Sequence, residues 1–176
     1  MKRMQGSRAI VITTAVILAV ALLGASSADA AAPGVTLSGN YSGNTHTVSD
    51  GCGFHSVNSF AATAKLTPGP RLQGTLVLDY CTAGGPLVGT WTLTTRQGTL
   101  SGGYGTWSRS SLCQTPTIGC VDHLSMQLLP VSGTRIFTRF TGGQLQLDAD
   151  NTMTSGAFPN EWWGTTTAIF DGTLTW

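Results

Sequence analysis

Apolar and polar side chains alternate one by one in stretch after stretch of this chain, and a period of two confines those stretches to β-strands with one buried face. In SFAATAKL, Phe60, Ala62, Ala64 and Leu66 fall on one side, with Thr63 and Lys65 on the other. LQGTLVLDY sets Leu72, Leu76, Leu78 and Tyr80 against Gln73, Thr75 and Asp79. The same pattern runs through GTWTLTT (Trp91, Leu93), HLSMQLL (Leu124, Met126, Leu128) and GQLQLDAD (Leu145, Leu147, Ala149). The weaker segments VTLSGNYSG, GTLSGGYGTW and TTTAIFDGTLTW bring the expected strands to eight, punctuated by glycine, proline and asparagine. The expected fold is all-β, an eight-stranded antiparallel β-barrel of the size that holds one small ligand. A two-sheet β-sandwich is the alternative, because alternation says which residues share a face but not how the sheet closes.

The first thirty residues have a different character. Lys2, Arg3 and Arg8 precede an apolar run from Ala9 to Gly24, which ends in Ala28-Asp29-Ala30. A basic start, a short apolar core and an A-x-A site make a secretory signal peptide, cleaved after Ala30 or, as second choice, after Ala32. Residues 31–176 then form one exported, extracellular domain. Six basic and seven acidic side chains remain in it, scattered, so no basic patch for nucleic acid is present. A membrane barrel ending on the alternating Ala168, Phe170 and Leu174 is a rival, with its apolar face turned outward to lipid. The expectation is a domain without membrane attachment once the signal is removed; a homo-oligomer stays open.

All four cysteines lie in the exported part, and an even count there reads as two disulfides. CQTPTIGC is a short loop with a proline and a glycine, which favours Cys113 with Cys120 and leaves Cys52 with Cys81. The competing reading is zinc, since Cys52/His55 and Cys120/His123 repeat a C-x-x-H spacing. Disulfides are the expectation, with no metal and no cofactor.

The stretch SGTRIFTRFTGGQLQLD, residues 132–148, interrupts the pattern. Gly133 and the Gly142-Gly143 pair permit a tight turn and a return to the sheet at Leu145. Phe137 and Phe140 are placed to plug one end of a barrel, with Arg135 and Arg139 at its rim; an anion site on those arginines is the alternative. Together with GTWTLTTRQGTLSGGYGTW (89–107), this stretch resembles the allene oxide cyclase barrels and their dirigent relatives. The resemblance rests on Gly133, Thr134, Phe137, Thr141, Gly142 and Gly143. It departs where Arg135-Ile136 replaces the family's glycine and where TRFTGG replaces a small-residue segment. It implies an eight-stranded barrel with an apolar cavity that orients a reactive substrate; no catalytic residue carries over.

Tyr41, Tyr80, Trp91, Tyr104 and Phe170 share the apolar faces and are the candidate ligand-binding residues, together with the terminal Trp176. Neighbours in a strand point oppositely, so one of Trp162 and Trp163 turns outward, towards a sugar, a subunit or the barrel mouth. There is no G-x-S-x-G elbow, and Asp148 and Asp150 form a solvated pair rather than a glycosidase site. A binding protein for a small lipophilic molecule leads, ahead of a cyclase-like enzyme acting by orientation and an extracellular structural or interaction module.

Overall fold

In the computed structural model, which describes residues 34–82, 85–111, 119–158 and 161–176, the eight expected strands all form. They are β1 (Gly34–Asp50), β2 (Gly53–Thr67), β3 (Arg71–Thr82), β4 (Val88–Thr95), β5 (Gly98–Ser111), β6 (Val121–Gly133), β7 (Gly142–Phe158) and β8 (Glu161–Thr175). Each pairs antiparallel with its neighbour in sequence. The last pairs with the first, from Gly34↔Thr175 to Val48↔Glu161, so the sheet closes as a barrel and not a sandwich.

Alternation decides which residues fill the lumen. Leu37, Phe60, Leu72, Leu76, Leu93, Leu100, Met126, Leu145 and Leu147 are buried inside. Lys65, Gln73, Thr75, Thr94, Gln144 and Asp148, one residue out of phase, are exposed outside. The outer wall is therefore polar where a lipid-facing barrel would carry an apolar band.

One end of the barrel is stoppered. Between β6 and β7 the chain makes a 3-10 turn, Arg135–Phe137, which carries Phe137 and Phe140 into the core, while Arg135 and Arg139 remain exposed. The turn is tied to the β4–β5 hairpin. Thr134 N–H donates to Thr99 O (2.8 Å), and Thr134 Oγ1 accepts from Thr99 N–H (2.9 Å). Arg135 reaches Arg96 O at 2.8 Å from a left-handed backbone, φ 53°. A Cβ on Gly133 would stand 2.5 Å from Phe137 Cβ, and Gly143 returns the chain to the sheet at φ 131°. The glycines of the 132–148 stretch thus let Phe137 seat and β7 restart.

The wall has a seam between β4 and β5. The β4–β5 ladder runs only from Thr95↔Gly98 to Trp91↔Gly102. Beyond it, three aromatic donors do the joining: Trp91 Nε1 to Gly103 O (2.8 Å), Tyr104 Oη to Thr90 O (3.0 Å) and Trp107 Nε1 to Gly85 O (2.9 Å). Side chains here satisfy carbonyls that a ladder would otherwise satisfy.

Phe137→Ala should destabilise the barrel by about 3–5 kcal/mol in urea unfolding, since it empties a fully buried site that seals the lumen. Arg139, whose guanidinium lies 5.3 Å from the Phe140 ring centroid and 5.2 Å from that of Trp176, is exposed. Its alanine variant should cost about 1 kcal/mol or less. Equal losses in the two variants would contradict the plug.

Candidate functional site

At the opposite end the described residues enclose a cavity. It has a volume of about 430 Å³ and is lined by residues from the ends of β1, β2, β3, β5, β6, β7 and β8. Its apolar walls are Phe54, Trp107, Leu124, Met153 and Trp162. Its polar surface comes from Thr47, Ser56, Tyr80, Arg109, Asp122 and Asn151.

Two departures from regular pairing create this polar end. The first is in β5, where pairing shifts from Tyr104↔Leu128 to Trp107↔Met126, one extra residue on β5. A bulge of this kind reverses which side chains face inward. Leu100 faces in before it; Trp107, Arg109 and Ser111 line the cavity after it. The second is in β1, where pairing with β2 lapses between Ser42↔Ala61 and Thr47↔Ser56. There the buried Asn58 side chain accepts from His46 N–H at 2.6 Å and donates to Ser56 Oγ at 3.1 Å. Ser56 Oγ also lies 2.6 Å from Thr47 Oγ1. Thr166 Oγ1 donates to Asn151 Oδ1 at 2.5 Å. The result is a hydrogen-bonded polar layer on top of the leucine core.

Above that layer Arg109 Nη2 donates to Asp122 Oδ2 at 2.6 Å. The guanidinium carbon lies 6.0 Å from the Phe54 ring centroid, and Phe54 meets Trp162 edge to face at 5.3 Å. Burial pushes the Tyr80 hydroxyl above the usual phenol range, partly offset by a hydrogen bond with Ser56 and by Arg109. Tyr41 and Tyr104 are raised by the same cause. All three hydroxyls therefore stay protonated near neutral pH, fit for hydrogen bonding and not for attack as phenolates.

Of the six candidate ligand-binding residues, Tyr80 lines this cavity. Tyr41, Trp91 and Phe170 are buried in the packed core below it, Tyr41 tilted against Phe60 with ring centroids 4.5 Å apart. Tyr104 closes the seam, edge-on to Tyr80 at 6.0 Å, and borders a shallow groove on the outside with Pro86 and Gln127. Trp176 packs on Phe140 at the stoppered end. Between the neighbouring tryptophans, Trp162 turns into the cavity and Trp163 outward, stacked 3.9 Å from His46.

Cys52 and Cys81 form a disulfide, with Cα atoms 5.9 Å apart, that ties the β1–β2 turn to the end of β3 at the mouth. The pairing of Cys113 with Cys120 falls on a residue outside the described ones. The two C-x-x-H pairs do not combine into a zinc site: the Cys52 sulfur is in the disulfide, His55 is held by Asp50 and Asp79, and His123 contacts Asp150.

The His55 clamp lies beside that disulfide, its ring nitrogens 3.1 Å from Asp50 and 3.0 Å from Asp79. The Asp79 hydrogen bond, then that of Asp50, raises the imidazole above its usual 6.5. The backbone N–H of Cys52, then His55, lowers Asp50 below its usual 3.8. Comparison with known families, with curated proteins and with solved structures finds no match to this chain.

A raised histidine stabilises the fold below its unfolded pKa and loses that contribution as pH climbs through the folded value. A lowered aspartate stabilises above its unfolded pKa and loses the contribution as pH falls through the folded one. The mouth hairpin should therefore be most stable between about pH 4 and 6.5. In an NMR titration His55 should titrate above 6.5 in the wild type and move back towards it in Asp79→Asn; a wild-type midpoint at or below 6.5 would contradict the clamp.

Proposed function

We propose that the chain is an exported binding barrel that takes a small molecule into the mouth cavity. The observation that carries this reading is a space of about 430 Å³ with aromatic walls and a few converging polar groups, within the size range of small-ligand sites. The lumen below is filled by leucines and phenylalanines and stoppered by Phe137, so a ligand would enter and leave by one door. The Cys52–Cys81 disulfide braces the rim of that door and supports an oxidising compartment.

The lining also refines the class of ligand. A purely lipophilic molecule would take Arg109, Asp122 and Asn151 out of water without replacing their hydrogen bonds, which costs free energy for each group left unpaired. An amphipathic ligand fits better, its apolar part against Trp107, Trp162 and Leu124. A cyclase-like reaction by orientation would use the same cavity, but binding needs only the features already named.

The test is native mass spectrometry of the protein purified from its own producer, beside a denatured sample. The wild type should carry an extra small mass in the native spectrum alone. Met153→Trp, which fills the cavity from its rim, should come bare with its thermal midpoint nearly unchanged. Bare wild-type protein, or the same adduct on Met153→Trp, would count against the mouth cavity as the binding site.

A further inference from the structure

Resting on the binding reading above, we infer that the ligand is a neutral, polyhydroxylated ring of the saccharide class, with neighbouring hydroxyls bridging Arg109 and Asp122. The inference starts from charge. Among the described residues lining the cavity, the charged ones are Arg109 and Asp122, one of each sign, and they are already joined at 2.6 Å. A carboxylate or phosphate drawn to Arg109 would be brought against Asp122, and an amine drawn to Asp122 would be brought against Arg109. Either ion would have to break or crowd the pair and would meet the like charge of its other member.

A neutral ligand leaves the pair intact and uses what it has left over. Guanidinium carries five N–H donors. Among the described residues, Arg109 gives one to Asp122 and its other N–H groups have no protein partner. Asp122 is an acceptor with lone pairs beyond the one Arg109 takes. The two together therefore present donors and acceptors side by side, fixed at a spacing set by their own hydrogen bond. Adjacent hydroxyls match that arrangement, since one donates to the carboxylate while its neighbour accepts from the guanidinium. Beside Asp122 on the next strand, Asn151 spends its carbonyl oxygen on Thr166, which among the described residues leaves its amide N–H groups for a further hydroxyl.

The walls match the other half of such a ligand. A saccharide ring has hydroxyls around its edge and C–H groups on its faces, and the C–H faces pack on flat aromatic rings. Trp107 is fixed for that role, because its indole N–H is committed to Gly85 O at 2.9 Å. Trp162 is braced edge to face on Phe54.

The experiment is titration of the full barrel followed by ¹H–¹⁵N chemical shifts and calorimetry. The probes are the methyl glycosides of glucose, galactose and N-acetylglucosamine, benzoate as an aromatic anion, phenethylamine as a cation, and N-phenyl-1-naphthylamine as a neutral lipophile. At least one glycoside should shift the amides of Trp107, Arg109, Asp122 and Trp162. Arg109→Gln and Asp122→Asn should each weaken it at least about tenfold, while Arg139→Gln at the stoppered end leaves it unchanged. Shifts of those amides by benzoate, phenethylamine or the naphthylamine, with the glycosides silent, would overturn the saccharide class and keep the cavity as a binding site. Silence from every probe would overturn both. Arg109 and Asp122 are partly exposed, so unchanged melting of their variants separates lost binding from lost folding.

Discussion

Pairing between β1 and β8 is the constraint on which the rest of the molecule depends, because a sheet whose first and last strands bond has no edge left to cover. Once the ring is closed, every inward side chain competes for one lumen, and the alternation in eight strands becomes a packing problem in three dimensions. Below the mouth it is solved by bulk: leucines from all eight strands interleave with Tyr41, Phe60, Trp91 and Phe170. At the mouth the strands supply smaller and more polar residues, Thr47, Ser56 and Asn151, and the lumen stays partly open.

The two ends of the ring therefore do different work. The 132–148 stretch closes the lower end from a single connection, with backbone bonds to β5 on one side and to Thr175 on the other. The polar layer of Ser56, Asn58 and Thr166 is buried yet hydrogen-bonded, so it can cap an apolar core without the penalty of orphaned polar groups. It offers a firm floor on which a cavity can rest. The irregular pairing of β1 and the bulge in β5 lie close to that level, which is where a regular barrel would have continued its leucine filling.

This explains what could be read in advance and what could not. Strand number, the inward residues of β2, β3, β6 and β7 and the Phe137 plug were legible, because each follows from a period of two or from local chain geometry; the Cys52–Cys81 pair was only what a preference for joining Cys113 to Cys120 left over, and that preference falls on a residue outside the described ones. Arg109 and Trp107 were not. Continuing the phase of Leu100 along β5 puts Arg109 outside, and the one-residue bulge after Tyr104 leaves no mark beyond the glycines of SGGYG, which strands also tolerate for other reasons. Tyr41, Trp91 and Phe170 were rightly placed on the inward face, but phase carries no information about height along the barrel axis. Height separates a residue that fills the core from one that lines the cavity, and it emerges only from the registers of all eight strands together.

The seam between β4 and β5 gives the molecule an internal reporter. Two of its three rivets are indoles and the third is a phenol, so the side chains that hold the wall shut are also those that absorb and emit in the near ultraviolet. If the wall parts along this line, the indoles of Trp91 and Trp107 exchange carbonyl partners for water, and their emission moves to the red. Two of the five tryptophans thus report on one stretch of wall, while Trp162, Trp163 and Trp176 report on the mouth, the outer face and the stoppered end.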